Sequence, residues 1–129
     1  MDAEEYLAKA RTYYNKVGRE NFRKLINDFY ENLRHDPLLR DMYPDDLEPA
    51  KERLFLFVIQ YFGGPQTYSE KRGHPKLKVR HAPFPITDEA RRHWIGHMSD
   101  AILKNPMDDE CKEFIMGYFD YTARFLMNR

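Results

Sequence analysis

Helical periodicity is the feature that most constrains how this chain folds. Apolar residues recur every three or four positions along most of its length, and strand-like alternation occurs in one short segment only. The clearest amphipathic segment follows Gly18, and its apolar face carries Phe22, Leu25, Ile26, Phe29, Tyr30 and Leu33. The pattern predicts an all-α fold, and a length of 129 residues predicts a single domain.

Boundary signals divide the chain into further helices. Asp2 and Glu5 form a capping-box pattern at the start of an N-terminal helix, which Gly18 ends. Thr87 is a favourable N-cap for a later helix that carries Trp94 and Met98. A polar residue followed by proline predicts three more helix starts, at Asp36-Pro37, Glu48-Pro49 and Asn105-Pro106.

One predicted helix is apolar on every side. The run from Leu54 to Ile59 contains six consecutive apolar residues and is followed by Gly63-Gly64-Pro65, which ends it. Such a helix is surrounded by protein, or by protein on one side and a bound apolar group on the other. The run is far too short to span a membrane.

The segment from Gly63 to Ile86 interrupts the helical pattern. It holds three of the six glycines and four of the eight prolines, and between positions 70 and 80 five cations face one acid. A connection of this length is usually functional. Its charge is explained either by a solvated surface loop or by an anion site. Residues 76–81 alternate like a strand, but a lone strand lacks a partner, so we predict a short helix there.

Composition excludes several classes of protein. The chain has 21 Lys and Arg and 21 Asp and Glu, and this balance argues against a nucleic-acid-binding module. The single cysteine, Cys111, excludes an intrachain disulfide and suits a reducing compartment. The acidic N-terminus is unlike a secretory signal. We therefore expect a soluble cytoplasmic protein with no membrane association.

Histidines and buried phenols are the candidates for chemistry. His81 ends the basic run, and it is either an ordinary surface histidine or a ligand. His93 and His97 share a helix face and are interpreted as a solvated pair. Tyr30, Tyr43 and Trp94 are either core residues or hydrogen-bond donors aimed into a cavity. These features suit a flat apolar ligand with anionic edges, and no catalytic triad, phosphate loop or dinucleotide motif accompanies them.

Several strings resemble the group II truncated hemoglobins. They are Phe29-Tyr30, Tyr43-Pro44-Asp45-Asp46-Leu47, the segment from Gln60 to Glu70, Gly73-His74-Pro75, Arg80-His81-Ala82-Pro83-Phe84, and Trp94. The resemblance implies a two-over-two globin fold, in which two antiparallel helix pairs enclose heme b and the proximal helix is short. The globin domain would then span residues 18–129, preceded by an N-terminal helix in residues 1–17. Gly18-Arg19 stands where the family often has two glycines.

The same resemblance implies roles for individual residues. His81 would be the proximal iron ligand, and Arg80 and Tyr68 would contact a heme propionate. Tyr30, Tyr43 and Trp94 would hydrogen-bond the ligand on the distal side, because Ala50 falls where other globins keep the distal histidine. The remaining residues expected to contact heme are Leu54, Phe57, Phe84 and Met98.

The function implied is reversible binding of dioxygen, CO and NO at ferrous heme iron. A hydrogen bond to a charged acceptor is worth about 1.5–3 kcal/mol, so three nearby donors predict slow release of dioxygen. Two alternatives stay open: a heme enzyme that detoxifies nitric oxide or peroxide with an unidentified reductase, and a non-catalytic globin for oxygen storage, delivery or sensing. A monomer and a homodimer are equally compatible with the sequence.

Overall fold

A computed structural model describes residues 1–129, and it contains nine helices and no strand. The helices are α1 (Ala3–Ala10), α2 (Tyr13–Val17), α3 (Arg19–Leu33), α4 (Pro37–Arg40), α5 (Glu48–Tyr61), α6 (Thr67–Arg72), α7 (Leu77–His81), α8 (Asp88–Leu103) and α9 (Asp109–Phe125). The all-α prediction is therefore confirmed.

Two pairs of long helices form the body of the molecule. α3 packs against α5 and also crosses α8, and α8 packs against α9. Every residue of the predicted apolar face of α3 is buried in one continuous core. This face explains the architecture, because a single stripe that touches two helices brings the α3–α5 and α8–α9 pairs together.

The N-terminal segment consists of two helices, α1 and α2, where the periodicity predicted one. Asp2 caps α1 by accepting a hydrogen bond from the Glu5 amide at 2.8 Å. A turn at Arg11 and Thr12 then separates the helices, and Gly18 ends α2 with φ of 91°. The segment packs into the core, where Ala10 and Tyr13 are fully buried.

The prediction of a helix start at Asn105-Pro106 is wrong. α9 begins at Asp109, and Asp108 caps it by accepting from the Cys111 amide at 3.0 Å. Asn105 is buried instead, donating to the Asn21 carbonyl and accepting from the Met107 amide. The side chain closes a turn and joins it to α3, so the Asn-Pro pair has a structural reason other than capping.

The other helix-start predictions are confirmed. Asp36 caps α4 by accepting from the Leu38 and Leu39 amides, and Thr87 caps α8 by accepting from the Ala90 amide. α5 begins at Glu48, with Pro49 in its first turn. None of the nine helices combines the length and the apolar character that a membrane span requires.

The Gly- and Pro-rich segment is not one long loop. It contains α6 and the one-turn helix α7, separated by Gly73 and by Lys76, whose φ is 47°. The preference for a short helix at residues 76–81 is confirmed, with α7 starting at Leu77. Gln60 fixes α6 to α5 through two hydrogen bonds with Ser69, of 2.7 Å and 3.0 Å.

Candidate functional site

A cavity of about 560 Å³ lies between the helices, and 17 of its 23 lining residues are hydrophobic. Ten of the eleven residues that the sequence singled out line it: Tyr30, Tyr43, Ala50, Leu54, Phe57, Tyr68, Arg80, His81, Phe84 and Trp94. Met98 is the exception. It is fully buried in the core one turn beyond Trp94 and does not line the cavity.

His81 lies at the C-terminal end of α7, and only one of its two ring nitrogens has a hydrogen-bond partner in the protein. Its Nδ1 lies 2.7 Å from the carbonyl oxygen of Leu77, one turn earlier. Because that carbonyl only accepts hydrogen bonds, Nδ1 carries a proton, and in the neutral ring Nε2 is then the nitrogen that holds the lone pair. A neutral imidazole held in this way is the arrangement that metal-ligating histidines normally have.

Arg80 and Tyr68 form a polar group at one side of the cavity. Arg80 donates to the Tyr68 hydroxyl at 3.0 Å and to the Arg72 carbonyl at 3.1 Å. No acidic side chain pairs with Arg80, so its guanidinium is available to an anion. A carboxylate on the edge of a bound group would find both a charge and hydrogen-bond donors there.

Three donors gather in the part of the cavity formed by α3, the α4–α5 connection and α8. The rings of Tyr30 and Tyr43 meet edge to face at 6.0 Å, and Trp94 packs against Phe29 at 4.7 Å. Burial raises the pKa of both phenols, and the neighbouring Trp94 indole opposes this effect at Tyr43. Both hydroxyls therefore keep their protons at neutral pH and can donate hydrogen bonds.

Three apolar residues of α5 form one wall of the cavity, beside Arg53 of the same helix. Ala50, Leu54 and Phe57 line it, and Phe57 meets Tyr68 edge to face at 5.6 Å. The helix that the sequence marked as apolar on every side thus buries Phe55, Val58 and Ile59 in the core and turns its other face to the cavity. The helix is apolar on every side because one face packs in the core and the other faces an apolar group bound in the cavity.

The connection before α5 is held by a residue that sequence reasoning did not identify. Arg40 donates to the carbonyls of Tyr43, Pro44 and Asp45, at 3.4, 2.9 and 2.7 Å. These three carbonyls belong to consecutive residues, so Arg40 fixes the backbone path of the turn that carries Tyr43. Arginine in a turn is common, so the sequence carries no signal for this role.

Three polar or charged residues that line the cavity were also not identified: Arg53, Arg72 and Thr122. Thr122 lies on the same α9 face as Tyr118 and Leu126, which also line the cavity. The helical spacing of that face was visible in the sequence. Its position at a cavity depended on where α9 crosses α8.

His93 and His97 share a helix face and are partly exposed, as predicted, but they are not simply solvated. His93 Nδ1 and His97 Nε2 lie 2.8 Å and 2.6 Å from the same carboxylate oxygen of Asp36, which is 6% exposed. Burial alone would raise the pKa of Asp36, but hydrogen bonds from His97, His93 and the Leu38 and Leu39 amides hold it well below its usual range. The cluster joins α4 to α8 beside Trp94.

The cavity fits a heme in the chemistry of its residues. It provides apolar walls, a histidine whose Nδ1 is engaged, protonated donors, and an arginine with no acidic partner for an anionic edge. Those features come from five different helices or connections, so only the folded chain brings them together.

Comparison with known proteins agrees with this geometry. The model of the bacterial-like globin family matches residues 12–128. The chain is 39% identical over 116 residues to the group 2 truncated hemoglobin YjbI of Bacillus subtilis, covering 90% of this chain and 88% of that protein. It is 34% identical over 118 residues to group 2 truncated hemoglobin 3-1 of Lotus japonicus, covering 88% of this chain and 70% of that protein.

Solved structures show the same similarity. The hemoglobin of the thermophilic phototroph Chloroflexus aurantiacus superposes with a TM-score of 0.89 at 44% identity, covering 92% of this chain and 98% of that one. The truncated oxygen-avid haemoglobin of Bacillus subtilis superposes with a TM-score of 0.85 at 39% identity, covering 89% of this chain and 98% of that one.

Proposed function

Since this chain belongs to the group II truncated hemoglobins, whose cofactor is heme iron and which bind oxygen, we propose that it holds dioxygen tightly and releases it slowly. The observation that supports slow release is the group of three protonated donors, Tyr30, Tyr43 and Trp94, in one part of the cavity. The similar haemoglobin of Bacillus subtilis is oxygen-avid, which agrees with the proposal.

Ferrous heme supplies an iron that binds diatomic ligands and leaves them partly negative. His81 would hold the iron through Nε2, because its Nδ1 proton is engaged by Leu77. Arg80, with Tyr68 beside it, would hold a propionate. Met98 has no part in this assignment, since it lies outside the cavity.

Tyr30, Tyr43 and Trp94 would stabilise the bound ligand by donating hydrogen bonds to its partial charge. Each bond to such an acceptor is worth about 1.5–3 kcal/mol. Since about 1.4 kcal/mol changes an equilibrium tenfold, one bond slows release by roughly 10- to 100-fold. Ala50 donates nothing, and we assign the stabilisation to these three side chains, which gather in one part of the cavity.

A protein that releases dioxygen slowly is better suited to reacting with it than to delivering it. We therefore extend the proposal to detoxification of nitric oxide or peroxide with an electron donor. CO and NO would enter the same cavity as dioxygen. The alternative is a non-catalytic globin for oxygen storage, delivery or sensing. Sustained consumption of nitric oxide or peroxide, with a reductase supplied, would support the enzyme, whereas stoichiometric reaction alone would support the binding protein.

The heme assignment is tested by absorption spectroscopy of the purified protein after heme supply. We expect an intense Soret band that shifts when CO is added to the reduced form. His81→Ala should weaken heme binding and alter the reduced spectrum, while His35→Ala, at an exposed position outside the cavity, should leave both unchanged. An unaltered spectrum in His81→Ala would remove His81 as the iron ligand.

The assignment of Tyr30 is tested by the rate of dioxygen release. Tyr30→Phe keeps the ring and removes only the donor, so we expect release to accelerate by roughly 10- to 100-fold. Tyr121→Phe is the matched control, because Tyr121 is 72% exposed and lies outside the cavity. Stopped-flow displacement of dioxygen by CO measures the rate. Equal rates in the two variants would contradict the role of Tyr30.

A further inference from the structure

A group of cations on α6 and around α7 has no acidic partner. The chain forms ion pairs along α3, α5, α8 and α9, yet no residue between 66 and 86 takes part in any of them. Lys71, Arg72, Lys76 and Lys78 are all exposed, and Glu70 is the only acid nearby in the chain. We call these four cations the basic face.

Exposed apolar side chains accompany the basic face. Val79 is 70% exposed on α7, directly after Lys78, and Phe84 is 42% exposed three residues after His81. Phe125 is 46% exposed, and the Lys78 ammonium lies 4.3 Å from its ring centre. Exposed apolar side chains beside unpaired cations are a composition found at protein-binding surfaces.

The basic face lies on the outside of the cavity wall. Leu77, Arg80 and His81 of α7 line the cavity, whereas Lys78 and Val79 of the same single turn are exposed. Arg72 both lines the cavity and belongs to the basic face. A partner bound there would therefore be separated from a group in the cavity by the thickness of one short helix.

We propose that the basic face docks an acidic one-electron carrier protein that reduces the heme iron. The proposal rests on the proposed function, because dioxygen binds only to ferrous iron. In the step, one electron leaves the reduced carrier and converts ferric iron to ferrous; no bond is formed or broken and no atom is transferred. Charge complementarity makes the carrier acidic, and weak electron-transfer contacts are small enough for this face.

The alternatives of nucleic acid and membrane are less consistent with the charge distribution. The chain as a whole has no net charge, so its long-range field does not favour an extended polyanion. The basic face concentrates four exposed cations on α6 and around α7, which suits a compact acidic surface.

The test uses the ferric heme-loaded protein under CO and a reduced acidic ferredoxin as the probe. Under these conditions the second-order rate of formation of the CO complex reports reduction. We expect the rate to fall steeply with ionic strength, because opposite charges steer the encounter. Lys71→Glu/Lys76→Glu should lower it by about 10-fold or more at low salt.

The matched control is Lys24→Glu/Lys104→Glu, which changes the net charge equally at exposed positions on α3 and beyond the end of α8. Its rate should stay within about threefold of the parent rate, because it leaves the local field at the basic face intact. Photoreduced riboflavin, a small molecule that carries at most one charge, should reduce all forms at closely similar rates, and dioxygen release should be unchanged in all of them.

Three results would overturn the proposal. The first is a reduction rate of the parent protein that does not depend on salt, and the second is an equal loss of rate in the two double variants. The third is that Lys71→Glu/Lys76→Glu abolishes binding to anionic vesicles or DNA but leaves reduction by ferredoxin unaffected. None of these results bears on the proposed function, because that function is tested separately by the rate of dioxygen release from Tyr30→Phe.

Discussion

At the scale of single residues, Asn128 has more polar contacts than its exposed position near the end of the chain suggests. Its side-chain Nδ2 donates to the carbonyls of His81 and Phe84, at 3.3 Å and 2.9 Å, and its Oδ1 accepts from the Ile86 amide at 3.0 Å. Its own amide donates to the Ile86 carbonyl at 3.0 Å. One residue thus satisfies four backbone groups of the segment that follows the proposed iron ligand.

Replacing Asn128 by alanine removes three of those four hydrogen bonds. We expect the free energy that holds the segment after His81 in place to fall by about 1–2 kcal/mol, and heme loss to accelerate by about 5- to 30-fold. Transfer of heme to excess apomyoglobin measures the rate. Asn15→Ala makes the same chemical change at an exposed position in α2 and should have no effect. Equal rates of heme loss in both variants would show that Asn128 does not support the segment after His81.

At the scale of helices, the cluster of Asp36, His93 and His97 ties the short α4 to α8. α4 has only four residues and could not persist alone, so its position depends on this buried carboxylate and on burial of Leu39. Trp94 lies between the two histidines in sequence, and Tyr43 follows α4. The cluster therefore holds together the two elements that carry Tyr43 and Trp94.

The cluster predicts how stability depends on acid. The pKa of Asp36 is lowered in the folded protein from its ordinary value of 3.8, so only the unfolded chain takes up that proton just below pH 4. The stabilisation is complete above that pH and is lost as the pH falls toward the lowered pKa. Asp36→Asn removes this proton uptake. The slope of unfolding free energy against pH, between about pH 4 and 3, should then decrease by up to about 1.4 kcal/mol per pH unit.

Urea unfolding of the ferric protein at several pH values measures this slope. His35→Gln is the control, since His35 lies next to Asp36 in sequence but is exposed on the outside of the cluster. It should leave the slope unchanged. A slope in Asp36→Asn equal to that of the parent would show that the carboxylate is not held ionised by its two histidines.

At the scale of the whole molecule, the N-terminal helices are part of the core. Tyr13 is fully buried, stacks on Phe114 at 4.3 Å and hydrogen-bonds Glu110 at the start of α9. The Tyr14 amide donates to the Phe62 carbonyl at 2.9 Å, which joins α2 to the end of α5. Gly63 makes this approach possible: its φ is 101°, and a Cβ there would lie 1.9 Å from the Arg11 carbonyl oxygen.

Gly63→Ala should therefore destabilise the protein by about 2–4 kcal/mol, because positive φ and a backbone clash both oppose the side chain. Gly96→Ala is the matched control in α8, where nothing lies within 4 Å of the added Cβ. It should stabilise the protein by about 0.5–1 kcal/mol, since alanine favours a helix. Thermal unfolding of the heme-loaded forms gives both values. Destabilisation of equal size in the two variants would contradict the close approach at Gly63.

Local sequence determined most of the helices, the one-turn helix that ends at His81, and the apolar character of α5, because spacing and capping act within a few residues. It also marked ten of the residues that meet in the cavity, through strings that this family shares. Only the tertiary structure decided which of two residues on one helix reaches the cavity. Trp94 does so and Met98, one turn away, does not.

The same limit applies to contacts between distant segments. Asp36 meets its two histidines across 57 and 61 positions of the chain, and Asn128 meets Ile86 across 42. No periodicity encodes such pairs, because they depend on the crossing of packed helices and on where a terminus comes to rest. The sequence by itself therefore determined the elements and the chemistry available to the site, and packing decided which side chains share it.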